Sequence, residues 1–396
     1  MEYQKMNAIE LLDIINTGET SKVQFKEKMS HPDSIAGEMI AMSNSMGGMI
    51  LFGVKDKTGD IVGLTYEDIQ QYSNSISNIA TGNIIPGIYI TTEVVSIDNN
   101  GGKKVLVVYV DEGINKPYKD KNGYVFVKHG PDKRRVTDNA EMIRLYQGGS
   151  HLLADEMEVF DTSITDIDED KFRDFFQKEF GRSIIEKGLS FEQALKAKKV
   201  LRNDKLTLAG LLFFGKAPQS FKPAFCIKTV SFFGNKISGK DYRSKPNDLI
   251  GTVPDLFKKG MDFFLNNLRH SQQGQSFNRP GILEISKIAL EELLINALVH
   301  RDYLKNAPIR LIIFDNRIEM ISPGKLPNNL TVEDIKYGNP VIRNNQLVAF
   351  SQQTMPFSGL GSGIRRSLDE QPDIEFTNDT EGEQFIVKIP RPEEKR

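Results

Sequence analysis

The chain is 396 residues long, enough for two or three domains at about 150 residues each. Its 51 Lys and Arg against 53 Asp and Glu give a net charge of −2, which excludes a protein that coats nucleic acid indiscriminately and leaves only local basic patches. With no run of about 18 apolar residues, one cysteine and an acidic start without the apolar core of a signal peptide, the expectation is a cytoplasmic protein with no membrane partner, no disulfides and no cysteine-rich zinc site.

Apolar residues at helical spacing predict a helix over 5–17, stopped by Gly18. A short strand at 22–25, a helix over 33–45 and a buried strand at 49–54 follow. A strand restarts at 61–63, and 66–80 reads as a helix. Strands at 88–97 and 103–111 flank Asn99-Asn100-Gly101-Gly102, a hairpin signal. A strand at 124–128 and a helix over 138–147 complete a mixed unit ending near 150. Residues 151–280 read as a mixed connecting region. It has helices at 168–180, 191–201 and 250–268, an apolar run at 207–216, a strand at 223–233 that holds Cys226 as core, and a Gln/Ser/Asn-rich linker at 271–280. The last unit has a long helix at 284–300, a hairpin of strands 309–314 and 317–322 about Asp315-Asn316, strands at 376–378 and 385–389, and a charged tail. The expected fold class is α+β, with domains at 1–150, 151–280 and 281–396.

In the first unit Lys26, Lys28, Lys55 and Lys57 fall near strand ends and are either one basic patch or solvated surface. Lys133-Arg134-Arg135 beside a Gly-Pro turn is the densest positive spot, again either a phosphate edge or a solvated loop. The ordered motifs GE (18–19), QFK (24–26), N..GG (44–48), GV.D (53–56) and YVFVKHGPDKRR (124–135) resemble the Schlafen AlbA-type domain over roughly 15–146. The resemblance implies an α+β nucleic-acid-binding domain, which in eukaryotic Schlafens forms part of an RNA endonuclease with three acidic positions. Those positions fall on Glu19, Gln24 and Asp56 here, with Glu19 and Asp56 as the implied metal ligands. Gln24 departs from the pattern: hard cations favour carboxylates, and glutamine offers a neutral carbonyl. The implied role is therefore binding of DNA or RNA without cleavage, with Lys26, Lys128, Lys133, Arg134 and Arg135 on phosphates.

In the last unit Glu292, Asn296 and His300 lie four apart, a polar stripe on an apolar helix. The stripe either borders a cavity or interface, or faces water while His300-Arg301-Asp302 closes the helix end. The segments EELLINALVHRDY (291–303) and DNRIEMISPGKLP (315–327) resemble the C-terminal domain of bacterial RecG-like transcriptional regulators over about 283–390. That domain is of the GHKL ATPase class, a layered α/β sandwich shared with histidine kinases and gyrase B. The resemblance implies an ATP and Mg²⁺ site, with Glu292 at the water-activating, catalytic position and Asn296 on the metal. It also implies a glycine turn at Gly324 and a phosphate-holding lid with Gly359, Gly361 and Gly363, helped by Arg365 and Arg366. The acid that reads the adenine amino group in this class has no counterpart in Ser322-Pro323-Gly324. No P-loop is present, so no helicase motor is expected. The function expected is that of a nucleic-acid-binding transcriptional regulator, homo-oligomeric, with an ATP-binding C-terminal domain. The alternatives are a metal-dependent Schlafen-type endoribonuclease in phage defence and a non-catalytic interaction scaffold.

Overall fold

A computed structural model of the chain describes residues 6–56, 58–97, 102–149, 151–237, 241–271, 281–327, 330–338, 341–359 and 361–392. Lys57, most of the expected 99–102 turn and most of the 271–280 linker lie outside the described residues. The chain divides into two compact units, 1–152 and 153–396, and its fold is α+β.

The first unit has three layers. Helix Ala8–Thr17 opens on a capping box in which the Asn7 carboxamide accepts from the Ile9 and Glu10 N–H groups and Glu10 accepts from Asn7 N–H. Gly18, at φ 83°, ends it. Strands Val23–Lys26, Gly48–Phe52, Lys104–Val110 and Ile90–Ser96 form one sheet in that order, the first pair parallel and the others antiparallel. Alternation of side chains splits the sheet between two cores. Ile50, Phe52, Leu106 and Val108 pack with helices Pro32–Asn44 and Tyr66–Gly82. Leu51, Val105 and Val107 pack with Leu11 and Ile15 of the first helix. The hairpin Phe126–His129/Asp132–Arg135 lies on helix Pro32–Asn44. The expected strand at 61–63 shrinks to a single bridge between Val54 and Ile61.

The second unit joins what the sequence reading separates at 280. Strands Tyr242–Ser244 and Ile227–Phe232 form one side of a six-stranded sheet, continued by Ile309–Ile313, Arg317–Pro323, Gln384–Pro390 and Glu375–Asp379. Ile227–Phe232 and Ile309–Ile313 run parallel, and the other neighbours antiparallel. The physical reason is that the apolar strand 227–232 needs backbone partners on both edges. One continuous core holds Phe172, Phe214 and Phe264 together with Leu294, Leu311 and Phe350. The apolar run 207–216 is ambiguous by periodicity. It becomes the buried helix Leu208–Phe214, started by the Thr207 side chain accepting from Gly210 N–H. Helices Asn345–Thr354 and Gly363–Glu370 add to the elements expected from sequence.

Candidate functional sites

In the first unit the QFK segment sits on a strand, so Gln24 and Phe25 are buried on opposite faces of the sheet, while Lys26, on the face of Gln24, is half-buried at the strand's end. The Glu19 carboxylate accepts from Phe25 N–H at 2.9 Å and from the Gln24 amide. Gln24 Oε1 in turn accepts from the Lys128 ammonium at 3.0 Å. Lys128, with a side chain 1 % exposed, also donates to Pro131 O and pairs with Glu38 at 3.4 Å. Lys133 donates to the other Glu38 oxygen and to Ser34 O, both at 3.0 Å. Arg134 makes a bidentate pair with Glu141, and the Arg135 guanidinium stacks 3.6 Å over the Tyr124 ring.

The predicted phosphate-contact set is thus divided. Lys128 is sealed inside, and Lys133 and Arg134 are engaged by carboxylates. Lys26 pairs with Asp56 at 2.8 Å and lines a cleft of about 430 Å³ with Lys28, Ser30, Ser34, Lys55 and Asp56. Lys26, Lys28 and Lys55 come to one cleft because the ends of strands 23–26 and 48–52 lie side by side, but Glu27 and Asp56 line it with them.

The implied metal positions do not fit a divalent ion. Among the described residues no three acidic, His or Cys side chains converge. Glu19 is bonded to Gln24 and Phe25, Asp56 to Lys26, and the amide oxygen at position 24 holds an ammonium. Glu38, buried and central to this network, was not singled out from sequence. The signal available was a lone charge in the apolar run Ile35–Met42.

In the second unit helix Lys287–Val299 is apolar nearly all round and therefore buried. It carries Glu292 in with it. Glu292 is 4 % exposed and its Oε1 pairs with Arg366 at 2.5 Å. Its Oε2 and the nearby Asn296 Nδ2 are buried with no hydrogen-bond partner. Burial pushes the Glu292 carboxyl above its ordinary value, against the opposing charge of Arg366. Both orphaned atoms face Gly363, the first residue of helix Gly363–Glu370. A Cβ there would lie 2.5 Å from Glu292 Oε2 and 3.2 Å from Asn296 Nδ2, so glycine lets the helix start approach these side-chain ends without displacing them.

Two cavities adjoin at this point. One of about 50 Å³ is bordered by Glu292, Asn296, His300, Gly359, Gly361 and Gly363. The other, about 140 Å³ and mainly apolar, extends past Leu293, Met320 and Phe385 to Gly324, Lys325 and Arg343. They share Asn296, His300, Gly361 and Ile364. Glu292, Asn296, Gly324, Gly359, Gly361 and Gly363 thus each border one or both cavities, while Arg365 lines neither. Drug-sized ligands occupy about 300–1,000 Å³, so the larger cavity is of the size for one ring system. Burial, then the charge of Arg343, holds the His300 imidazole down at about 4, so it lines the site neutral. A donor set of one carboxylate and one carboxamide fits Mg²⁺ only in company with ligand phosphates and water, the usual way that ion is held. Arg343, which donates to Lys325 O at 2.7 Å, was not singled out from sequence.

Two family models match parts of the chain, one in each unit. Residues 19–137 match the family model described as "Schlafen, AlbA_2". Residues 306–389 match the one described as "Putative ATP-dependent DNA helicase recG C-terminal". The first span contains the whole Glu19–Arg135 network. The second contains Gly324, Gly359, Gly361 and Gly363 and begins after the Glu292 helix. No curated protein matches the chain. Among solved structures, that of the DIP2311 protein from Corynebacterium diphtheriae is 20 % identical, covering 96 % of this chain and 79 % of that one, with a TM-score of 0.44. Among the described residues no helix is long and apolar enough to cross a membrane.

Proposed function

We propose that this chain is a nucleic-acid-binding regulatory protein of the cytoplasm whose second unit holds a nucleotide, and that it works as a homo-oligomer. The observation that carries the nucleotide reading is the pair of buried, unpartnered atoms, Glu292 Oε2 and Asn296 Nδ2, under the start of helix Gly363–Glu370. An unsatisfied buried polar group costs roughly 1–3 kcal/mol, and a polar ligand entering the adjoining cavities offsets that cost. The apolar cavity takes the base, and the N-terminal end of the helix favours the phosphates. Glu292 and Asn296 would hold Mg²⁺ arriving with those phosphates, the ion supplying charge neutralisation. Glu292 stands where a water-activating base is needed, but Arg366 occupies one of its oxygens, which favours binding over turnover. The DNA or RNA partner is assigned to the first unit, supported by its family match and lysine-lined cleft. Homo-oligomerisation is checked by light scattering, where a monomer mass at every concentration removes that part.

The test is calorimetric titration of the full chain with Mg·ATP, ATP alone and GTP, with Asn296→Leu as control. Saturable binding lost in the folded variant supports the site. No heat with any of the three, or undiminished binding by Asn296→Leu, refutes it.

A further inference from the structure

We infer that the first unit seats a backbone phosphate of its nucleic acid in the Lys26–Lys28–Lys55 cleft without a divalent cation, Lys128 holding Gln24 and Glu38 in place of an ion. The inference rests on the nucleic-acid reading above and adds where and how the phosphate is held.

Three ammonium groups line the cleft, together with the side chains of Glu27 and Asp56, so the lining carries an excess of one positive charge. Lys26 is partly offset by Asp56 at 2.8 Å and Lys55 by Asp60 at 3.6 Å, while Lys28 is exposed. Ser30 Oγ, also on the wall, is buried with no hydrogen-bond partner. A hydroxyl in that state is a donor awaiting an acceptor. Ser30 and Ser34 bracket the start of the 13-residue helix Pro32–Asn44, whose positive dipole end favours an anion. Lysines, an unpaired hydroxyl and a helix start on one cleft together suit a phosphate.

The metal route is closed by the chain itself. The Lys128 ammonium lies 3.0 Å from Gln24 Oε1 and 3.4 Å from Glu38 Oε2, the separations of a cation from its ligands in an ion pair. A divalent ion there would face a buried ammonium at short range in a low-dielectric site. Lys128 cannot touch nucleic acid from a side chain 1 % exposed. It is a positioning residue, holding Gln24 and Glu38, and Glu38 in turn orders Lys133 against the Ser34 carbonyl on the cleft wall.

The experiment is fluorescence anisotropy of labelled single-stranded and duplex oligonucleotides with the full chain, in EDTA and in millimolar Mn²⁺, over a salt series. The same Kd in both media is expected. The double variant Lys28→Ala/Lys55→Ala, checked for unchanged melting, loses at least about tenfold in affinity, and its log K against log salt slope becomes shallower by about 0.7 on single strands and about 0.9 on duplex, the value for one lost phosphate contact. Lys128→Ala weakens binding in EDTA and regains part of it with Mn²⁺, a rescue that a purely structural lysine would not show. Binding by the wild type only with Mn²⁺, full affinity and an unchanged slope in the double variant, or no Mn²⁺ rescue of folded Lys128→Ala would each overturn the inference. A wild type that binds no oligonucleotide in either medium overturns the nucleic-acid reading itself, and this seat with it.

Discussion

Replacing Arg366 with alanine removes the ion-pair partner of a buried carboxylate. Glu292 is 5 % exposed at its side chain and Arg366 is 45 % exposed, with 2.5 Å between them. Hydrogen bonds to charged groups contribute about 1.5–3 kcal/mol. Water reaches the guanidinium, so the lower end applies and Arg366→Ala costs about 1.5 kcal/mol. For a unit of 244 residues (396 minus 152), about 2–4 °C per kcal/mol predicts a Tm loss of roughly 3–6 °C. The loss has a pH signature. Burial already holds the Glu292 carboxyl above its ordinary 4.5, and Arg366 opposes that shift; without the arginine the carboxyl rises further. A carboxyl raised in the folded state keeps its stability at low pH and loses it as pH climbs from the unfolded value through the folded one. The Arg366→Ala penalty is therefore small near pH 4 and grows toward pH 8. Scanning calorimetry across that range reads it directly, with Arg366→Lys recovering part of the loss. A Tm change absent or constant with pH would refute the reasoning.

Three further outcomes follow from the same geometry. Gly363→Ala places a methyl 2.5 Å from Glu292 Oε2; overpacking of that order costs about 1–3 kcal/mol and weakens nucleotide binding, so wild-type melting and affinity in the variant would contradict the close approach. Asp155, fully buried, is held at about 6 by desolvation although it accepts from the Gln346 and Leu347 N–H groups at the start of helix Asn345–Thr354; stability should fall as pH rises from 3.8 toward 6, and Asp155→Asn, which keeps an acceptor, should flatten that slope in denaturant titrations. His300 is held at about 4, so below pH 6.5 the unfolded chain takes up a proton that the folded one refuses and stability falls as pH drops; its NMR titration should show no inflection above pH 5, and a midpoint near 6.5 would refute the burial argument.

Local chemistry made much of the fold legible. Apolar spacing marked the helices that Asn7, Thr65, Asp138 and Ser190 start by accepting from the N–H groups ahead of them, and short apolar stretches between turn residues marked the four strands of the first sheet. The sheet that crosses residue 280 was not legible, because parallel pairing of 227–232 with 309–313 joins segments about 80 residues apart, which no local pattern encodes. The Glu292/Asn296 stripe was legible by spacing, and its glycines only through the family resemblance. What spacing could not give was occupancy: Lys128, Lys133 and Arg134 read as free cations, and Arg366 as a phosphate ligand, until the structure set each against a carboxylate 7 to 95 residues away. Glu38 escaped because a single acid in an apolar helix has no motif.

The regulatory claim is tested most directly by oligonucleotide affinity measured with and without saturating nucleotide. Coupling of about 1 kcal/mol or more predicts at least a fivefold change in Kd, abolished by Asn296→Leu. Identical affinities under the two conditions, with nucleotide shown to be bound, would contradict it.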